Sequence, residues 1–255
     1  MFDVKKPPST HCCKVMELRQ YTLRAGRRDE LIALFEREFI ESQEAQGITL
    51  PGQFRDLDNP DRFVWLRGFS DMPERAEALA AFYGGPTWQA HRNAANATML
   101  DSDNVLVLRP ARADSAFATS TTTRPLPGAG RSTGGIVVAT LYYFESQVDA
   151  RFVEYFHDSV VPLLSSAGAE VLSAFETETA SNNFPRLPVR EGEHIFVWFA
   201  RFDHVAAYER FREALAAMPR WTQVRAGIDE HLMREEVLRL APTERSLLPS
   251  AQAGN

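Results

Sequence analysis

Apolar and polar residues alternate through Val15–Leu23 as they do in a strand, then switch to helical spacing at Leu31, Leu34, Phe35 and Phe39. Gly47 stops that helix. Ile48–Leu57 reads as a second strand, Asp58-Asn59-Pro60-Asp61 as a tight turn, and Phe63–Phe69 as a third strand. Asp71 followed by Glu74 has the spacing of a capping box and opens a helix, which breaks at Gly84-Gly85-Pro86 and resumes through Trp88 to about Met99. Asn104–Arg109 is the last strand of this series. The same order then returns. Val137–Phe144 is a strand, and Ser146 caps a helix whose apolar face is Phe152, Phe156, Val160 and Leu163 and which Gly168 ends. Strands follow at Val171–Thr177 and Ile195–Phe202. A helix from Val205 to about Met233, broken at Met218-Pro219, leads to a final strand at Glu236–Leu240.

The recurrence extends to residue identity. Phe63-Val64-Trp65-Leu66-Arg67-Gly68-Phe69 returns 133 positions later as Phe196-Val197-Trp198-Phe199-Ala200-Arg201-Phe202, and Pro86-x-Trp88 returns at the same spacing as Pro219-x-Trp221. A period this long predicts two copies of a domain rather than a solenoid. Both tryptophan pairs are expected to be buried at equivalent places. Tyr21 matches Tyr143 at a spacing of 122, so about eleven residues are added in the second copy, within 179–194. That segment is either a lid or a loop without fixed structure. The division is then a flexible arm over 1–13, a first repeat over 14–112, a linker over 113–134, a second repeat over 135–243 and a flexible tail over 244–255. Each repeat reads β-α-β-β-α-β, the ferredoxin-like order, with helices on one face of an antiparallel sheet. The other face would be bare and apolar. The expected fold is therefore α+β, with two tandem ferredoxin-like repeats hiding those faces against each other as a pseudo-dimeric α+β barrel.

Composition narrows the function classes. A net charge of −6 without any Lys/Arg run argues against nucleic acid as a partner. No apolar run approaches a membrane span, and the polar, proline-containing start lacks the apolar core of a signal peptide, so a cytoplasmic protein is expected. Cys12 and Cys13 are adjacent and read as reduced thiols. None of the six histidines lies at i, i+3 or i, i+4 to another, so no metal and no cofactor is expected. No phosphate-binding loop or nucleophile elbow is present.

Chemistry concentrates in the first repeat. Alternation sets Glu17, Arg19 and Tyr21 on one face of the first strand, and Trp65 and Arg67 on one face of the third, with Gln53 and Arg55 on the second. The expected counterparts Ala139 and Leu141 in the second repeat are apolar. Glu17 and Arg19 thus line a polar pocket, form an ion pair, or face water on an edge strand. Arg67 binds an anionic ligand, stacks on an aromatic ring, or pairs with Glu17. Trp88 and His91 are helical neighbours, and His91 is a proton-transfer group, a haem ligand, or an ordinary surface or core residue. The expectation is a substrate-binding pocket in the first repeat drawing on Glu17, Arg19, Tyr21, Arg55, Trp65, Arg67, Trp88 and His91, with the second repeat mainly structural.

Glu17-Leu18-Arg19-Gln20-Tyr21-Thr22-Leu23 followed by Gly26, then Phe63-Val64-Trp65, Glu74-Arg75 and Pro86-x-Trp88, resembles the NIPSNAP family. The resemblance covers about 15–110 and extends more loosely over 136–242. It implies a dimeric α+β barrel and no particular reaction. Relatives with the same barrel include monooxygenases acting on polyketides, haem-degrading enzymes, chlorite dismutases and isomerases. The reading is a protein that binds or transforms a small organic molecule, anionic or aromatic. The alternatives are a non-catalytic protein-interaction module and, further off, haem binding or degradation through His91 or His157. A homo-oligomer of pseudo-dimeric chains is also open. No catalytic residue is assigned.

Overall fold

The structure, a computed structural model, describes residues 11–119, 123–128 and 135–249. The first half runs β1 (Val15–Leu23), α1 (Arg28–Leu34), α2 (Ile40–Glu44), β2 (Gln53–Asp56), β3 (Arg62–Phe69), α3 (Met72–Gly84), α4 (Pro86–Thr98), β4 (Met99–Asp101) and β5 (Val105–Pro110). The second runs β6 (Ile136–Phe144), α5 (Ala150–Tyr155), α6 (Val161–Ser166), β7 (Glu170–Thr177), β8 (Ile195–Phe202), α7 (Val205–Ala216), α8 (Pro219–Asp229) and β9 (Leu232–Pro242). Short π-helical segments, Phe35–Phe39 and Phe156–Val160, join α1 to α2 and α5 to α6.

The strands form one sheet in the order β3-β2-β9-β6-β8-β7-β5-β1, with β4 on the end of β1. Because β1 also pairs with β3, the eight longer-range strands close into a barrel. The two halves are therefore not separate sheets laid face to face. They are joined edge to edge by antiparallel β2–β9 and β5–β7 ladders, and closure gives each of the eight barrel strands two neighbours. Alternate side chains point inward. Met16, Leu18, Val64, Leu66 and Leu106 meet Val137, Leu141, Val197, Phe199 and Leu240 in a shared apolar interior. The opposite face of each half is covered by its own helices, which gives two further cores.

Helix ends follow the local chemistry. The Asp71 side chain accepts from the Glu74 backbone N–H as α3 begins, and His204 does the same for Ala207 at the start of α7. Asp149, not Ser146, caps α5. Gly47 (φ +80) and Gly168 (φ +109) end the first helical passage of each half in a conformation that disfavours a side chain.

Those two glycines are 121 positions apart, as are the two π segments. Strand register agrees. Arg19 lies opposite Trp65, and Thr140 lies opposite Trp198. Tyr21 therefore corresponds to Tyr142, one residue short of the expected Tyr143. The slip matters because side chains alternate with a period of two. Tyr142 faces the helices as Tyr21 does, whereas Tyr143 joins the barrel interior.

Two segments pack where flexibility was expected. Phe117, in the linker, is buried against Phe175 and Phe199 inside the barrel. Arg245, Ser246 and Leu248, in the expected tail, are buried as well. Most of the expected N-terminal arm and parts of the linker and tail lie outside the described residues. Trp65 and Trp198 are buried as a pair. Trp88 and Trp221 are only partly buried, because their helices lie on the outside of the molecule.

Candidate functional site

Alternation in β1 sends Met16 and Leu18 into the barrel and Glu17, Arg19 and Tyr21 toward the helices. In β3 the same alternation sends Trp65, Arg67 and Phe69 to that helix-covered face, with Arg67 directly opposite Glu17. The residues of α3 at 75, 78, 79 and 82 form its buried stripe, so Arg75 is driven down onto the sheet between strands β1 and β3.

The result is one carboxylate held by three guanidinium groups. Glu17 Oε2 accepts from Arg19 Nη1 at 2.6 Å and from Arg67 Nε at 2.6 Å, and Glu17 Oε1 accepts from Arg75 Nε at 2.7 Å. Glu17, Arg67 and Arg75 are each 0% exposed and Arg19 1%. The remaining donors are met in part. Arg19 Nε donates to the Tyr21 hydroxyl at 3.0 Å, and Arg67 Nη1 to the Tyr83 hydroxyl at 3.2 Å. Both Arg19 and Arg67 lie over the Trp65 ring, at 5.4 and 5.2 Å from guanidinium carbon to centroid. Arg67 Nη2 and Arg75 Nη2 are buried without an acceptor. The cluster carries three positive charges against one negative, with the Nη2 groups of Arg67 and Arg75 and the Trp65 indole N–H left over.

Burial by itself would raise the Glu17 carboxyl. The charges of Arg67, Arg19 and Arg75 outweigh it and hold Glu17 well below the usual carboxylate range. Burial pushes the Tyr21 phenol up, so it stays protonated at neutral pH. Burial also draws Arg75 down, and the Glu17 charge offsets part of that effect.

The cluster is roofed by the other half of the chain. The segment between β7 and β8, which holds the inserted residues, crosses onto the first half. Arg75 Nη1 donates to Asn182 Oδ1 at 3.1 Å and to Asn183 Oδ1 at 2.7 Å. Asn183 Nδ2 donates to the Met72 carbonyl, and Phe184 stacks on Tyr83 with ring centroids 6.1 Å apart. Leu187 and Val189 pack on the first half's helix-side core. The Arg190 backbone N–H donates to the Val105 carbonyl at 2.8 Å.

The structure brings together Glu17, Arg19, Tyr21, Trp65 and Arg67 and leaves the other expected residues outside their contacts. Arg55 turns outward to Asp29 at 2.9 Å. Trp88 packs on Phe39, Phe82 and Tyr83, at the aromatic margin. His91 Nε2 sits 3.4 Å from Glu38, and His157 pairs with Asp158 at 2.8 Å. Arg75, Tyr83, Asn182 and Asn183 were missed. The 75/78/79/82 stripe could have identified Arg75, since a cation on the buried face of a helix needs a partner. Nothing in the sequence signals that a loop of the second half would reach it.

The second half is built differently at the same place. Val138, Thr140, Ala200 and Tyr208 stand where the first has Glu17, Arg19, Arg67 and Arg75. Cavities in this half include one of about 700 Å³ between β6, β8, α7 and α8 and one of about 560 Å³ between α5 and α8. An open pocket was expected in the first half, yet its charged cluster is closed to solvent. Among the described residues no group of three or more His, Cys, Asp or Glu is placed to hold a metal, and no helix is long and apolar enough to cross a membrane. Cys12 and Cys13 are both free.

The NIPSNAP family model matches residues 16–113. No curated protein matches the chain. Among solved structures, a candidate monooxygenase from Lactobacillus acidophilus NCFM is 13% identical, with 89% of this chain and 93% of that one covered at a TM-score of 0.55. A candidate monooxygenase from Fusobacterium nucleatum is 9% identical over 89% of this chain and 91% of that one, at 0.54. An anthrone oxidase-like protein is 13% identical over 97% of this chain and 98% of that one, at 0.50. At such identities the likeness is one of fold. Residues 16–113 of this chain thus match the NIPSNAP family model and lie within a closed α+β barrel whose fold resembles those of monooxygenase-like proteins.

Proposed function

We propose that this protein binds a small organic anion, a carboxylate, enolate or phenolate on an aromatic or apolar body, at the Arg67–Arg75 edge of the first-half cluster. The observation that carries the reading is the charge imbalance in a place closed to bulk solvent. Two net positive charges and two guanidinium NH2 groups without acceptors are buried, and among the described residues the acceptors that Arg67 and Arg75 meet beyond Glu17 are neutral: the Tyr83 hydroxyl and the side-chain amide oxygens of Gln43, Asn182 and Asn183. Buried guanidinium groups that lack a counter-charge are costly, and a planar anion supplies both the charge and paired acceptors. Glu17 holds the arginines in place. Its depressed pKa makes it a poor proton acceptor, so its role is electrostatic positioning. Trp65, Tyr83 and Phe184 would receive the ligand's body. The 178–194 segment would lift to admit the ligand and close on it.

The duplicated architecture is part of the same proposal. The halves, bounded near 14–112 and 135–243, are read as tandem ferredoxin-like repeats that diverged. The first keeps the charged cluster and the second replaces it. Fold neighbours described as monooxygenases and as anthrone oxidase-like make oxygenation of an aromatic molecule the reaction class to test first.

The test is calorimetric titration of the full chain with 2-naphthoate. Binding should weaken at least about tenfold in Arg75→Gln and in Arg67→Met, the scale of a lost charge-assisted hydrogen bond. Affinity unchanged in both variants, with both still folded by circular dichroism, would remove the assignment.

A further inference from the structure

We infer that the second half carries a separate ligand site, for an uncharged aromatic molecule bearing a hydrogen-bond acceptor such as a ketone. The cavity between β6, β8, α7 and α8 measures about 700 Å³, within the range of small-molecule sites. It occupies the place that the arginine cluster fills in the first half. There Trp65 is covered by Arg19 and Arg67. The corresponding Trp198 has Thr140 opposite it in β6, and both side chains line the cavity. Tyr142, Tyr208 and Trp221 complete an aromatic wall.

Two observations set the ligand's chemistry. The first is electrostatic. Each arginine at the cavity is already balanced by acids: Arg225 by Asp229 and Glu235, both at 2.7 Å, Arg239 by Asp58 and Glu209, and Arg212 by Glu209 at 3.3 Å. No uncompensated positive charge remains to attract an anion, in contrast to the first half. The second is an unused donor. The Trp198 indole N–H is buried and makes no hydrogen bond within the protein. A buried N–H without an acceptor is uncommon, and a ligand carbonyl entering the cavity would satisfy it. An aromatic body would stack on the walls.

The experiment compares two probes that share one ring system, 2-acetylnaphthalene and 2-naphthoate, by calorimetry on the full chain. The uncharged ketone should bind the wild-type protein. Trp198→Phe, which keeps a ring and removes the donor, should weaken it roughly two- to tenfold, the span of one neutral hydrogen bond. Ala216 is exposed at the cavity, so Ala216→Trp fills the space without touching the core and should weaken the ketone further. Arg75→Gln should leave ketone binding unchanged. Absence of ketone binding, indifference to both cavity variants, or loss in Arg75→Gln would overturn the inference. If the ketone behaves as stated while naphthoate fails to bind, this site stands and the anion reading of the first half falls.

Discussion

Glu17 is the residue on which the first half's interior turns. Alone among three buried guanidiniums it supplies the negative charge, and it touches all three at 2.6–2.7 Å. Removing that charge while keeping the shape leaves the arginines to repel one another away from water. Glu17→Gln is expected to destabilise the fold by about 3–5 kcal/mol in urea titration, the usual result of breaking a buried charge group. A change below about 1 kcal/mol would mean the cluster is solvated. The pH dependence has a definite direction. The folded carboxyl is held below its ordinary value of 4.5, so as pH falls the unfolded chain takes up the proton first. The stability contributed by Glu17 is present above that value and is lost progressively below it. Wild-type stability should therefore fall more steeply than that of Glu17→Gln between about pH 6 and about pH 3. Parallel curves would contradict the assignment. Glu17 and Arg19 were legible because a charged pair on a strand face with apolar counterparts stands out. Arg75 was legible in principle from its helical stripe. Asn182 and Asn183 were not, since their contact with Arg75 spans 107 and 108 residues of sequence.

At the scale of elements, the segment between β7 and β8 links a loop of one half to the chemistry of the other. Asn182, Asn183 and Phe184 hold it to α3, while Arg190 ties its far end to β5 and to Asn104. Few backbone ladders fix it between those anchors, which is the signature of a unit that opens below the global unfolding free energy. Hydrogen exchange should show amides at 179–189 exchanging faster than those of β8, and 2-naphthoate should slow them selectively. Uniform protection without ligand would make the segment a fixed wall instead. Most elements could be read from hydrophobic period, and the helix breaks before Pro86 and Pro219 fell where proline requires. The second strand could not. Of the apolar stretch 48–57, Gln53–Asp56 forms the continuous strand and Thr49 makes only an isolated bridge to Gly68, because Pro51 and Gly52 interrupt it. The match of Tyr21 was off by one because Tyr142 and Tyr143 are adjacent and identical. Only sheet register distinguishes them.

At the scale of the whole molecule, the two halves complete one barrel. Neither could close alone, since β2 and β5 of the first half find their outer partners in β9 and β7 of the second. A chain of residues 14–112 would expose two strand edges and the apolar face of Met16, Leu18, Val64 and Leu66. It should dimerise or aggregate in sedimentation velocity, and a stable monomer would contradict the packing described. The repeat made this architecture foreseeable in outline. Edge-to-edge closure was not foreseen, because period and composition describe faces of strands and are silent about which edges meet. One molecule thus holds a charged, closed cluster and an open, aromatic cavity at matching places in its two halves. The most direct test of the central claim is crystallographic. Crystals grown with 4-bromobenzoate should show the bromine's anomalous peak among Trp65, Tyr83 and Phe184, with the carboxylate on Arg67 and Arg75 and the Asn182–Asn183 side chains displaced. A peak confined to the second-half cavity, or Arg75 still bonded to both asparagines at full ligand occupancy, would contradict it.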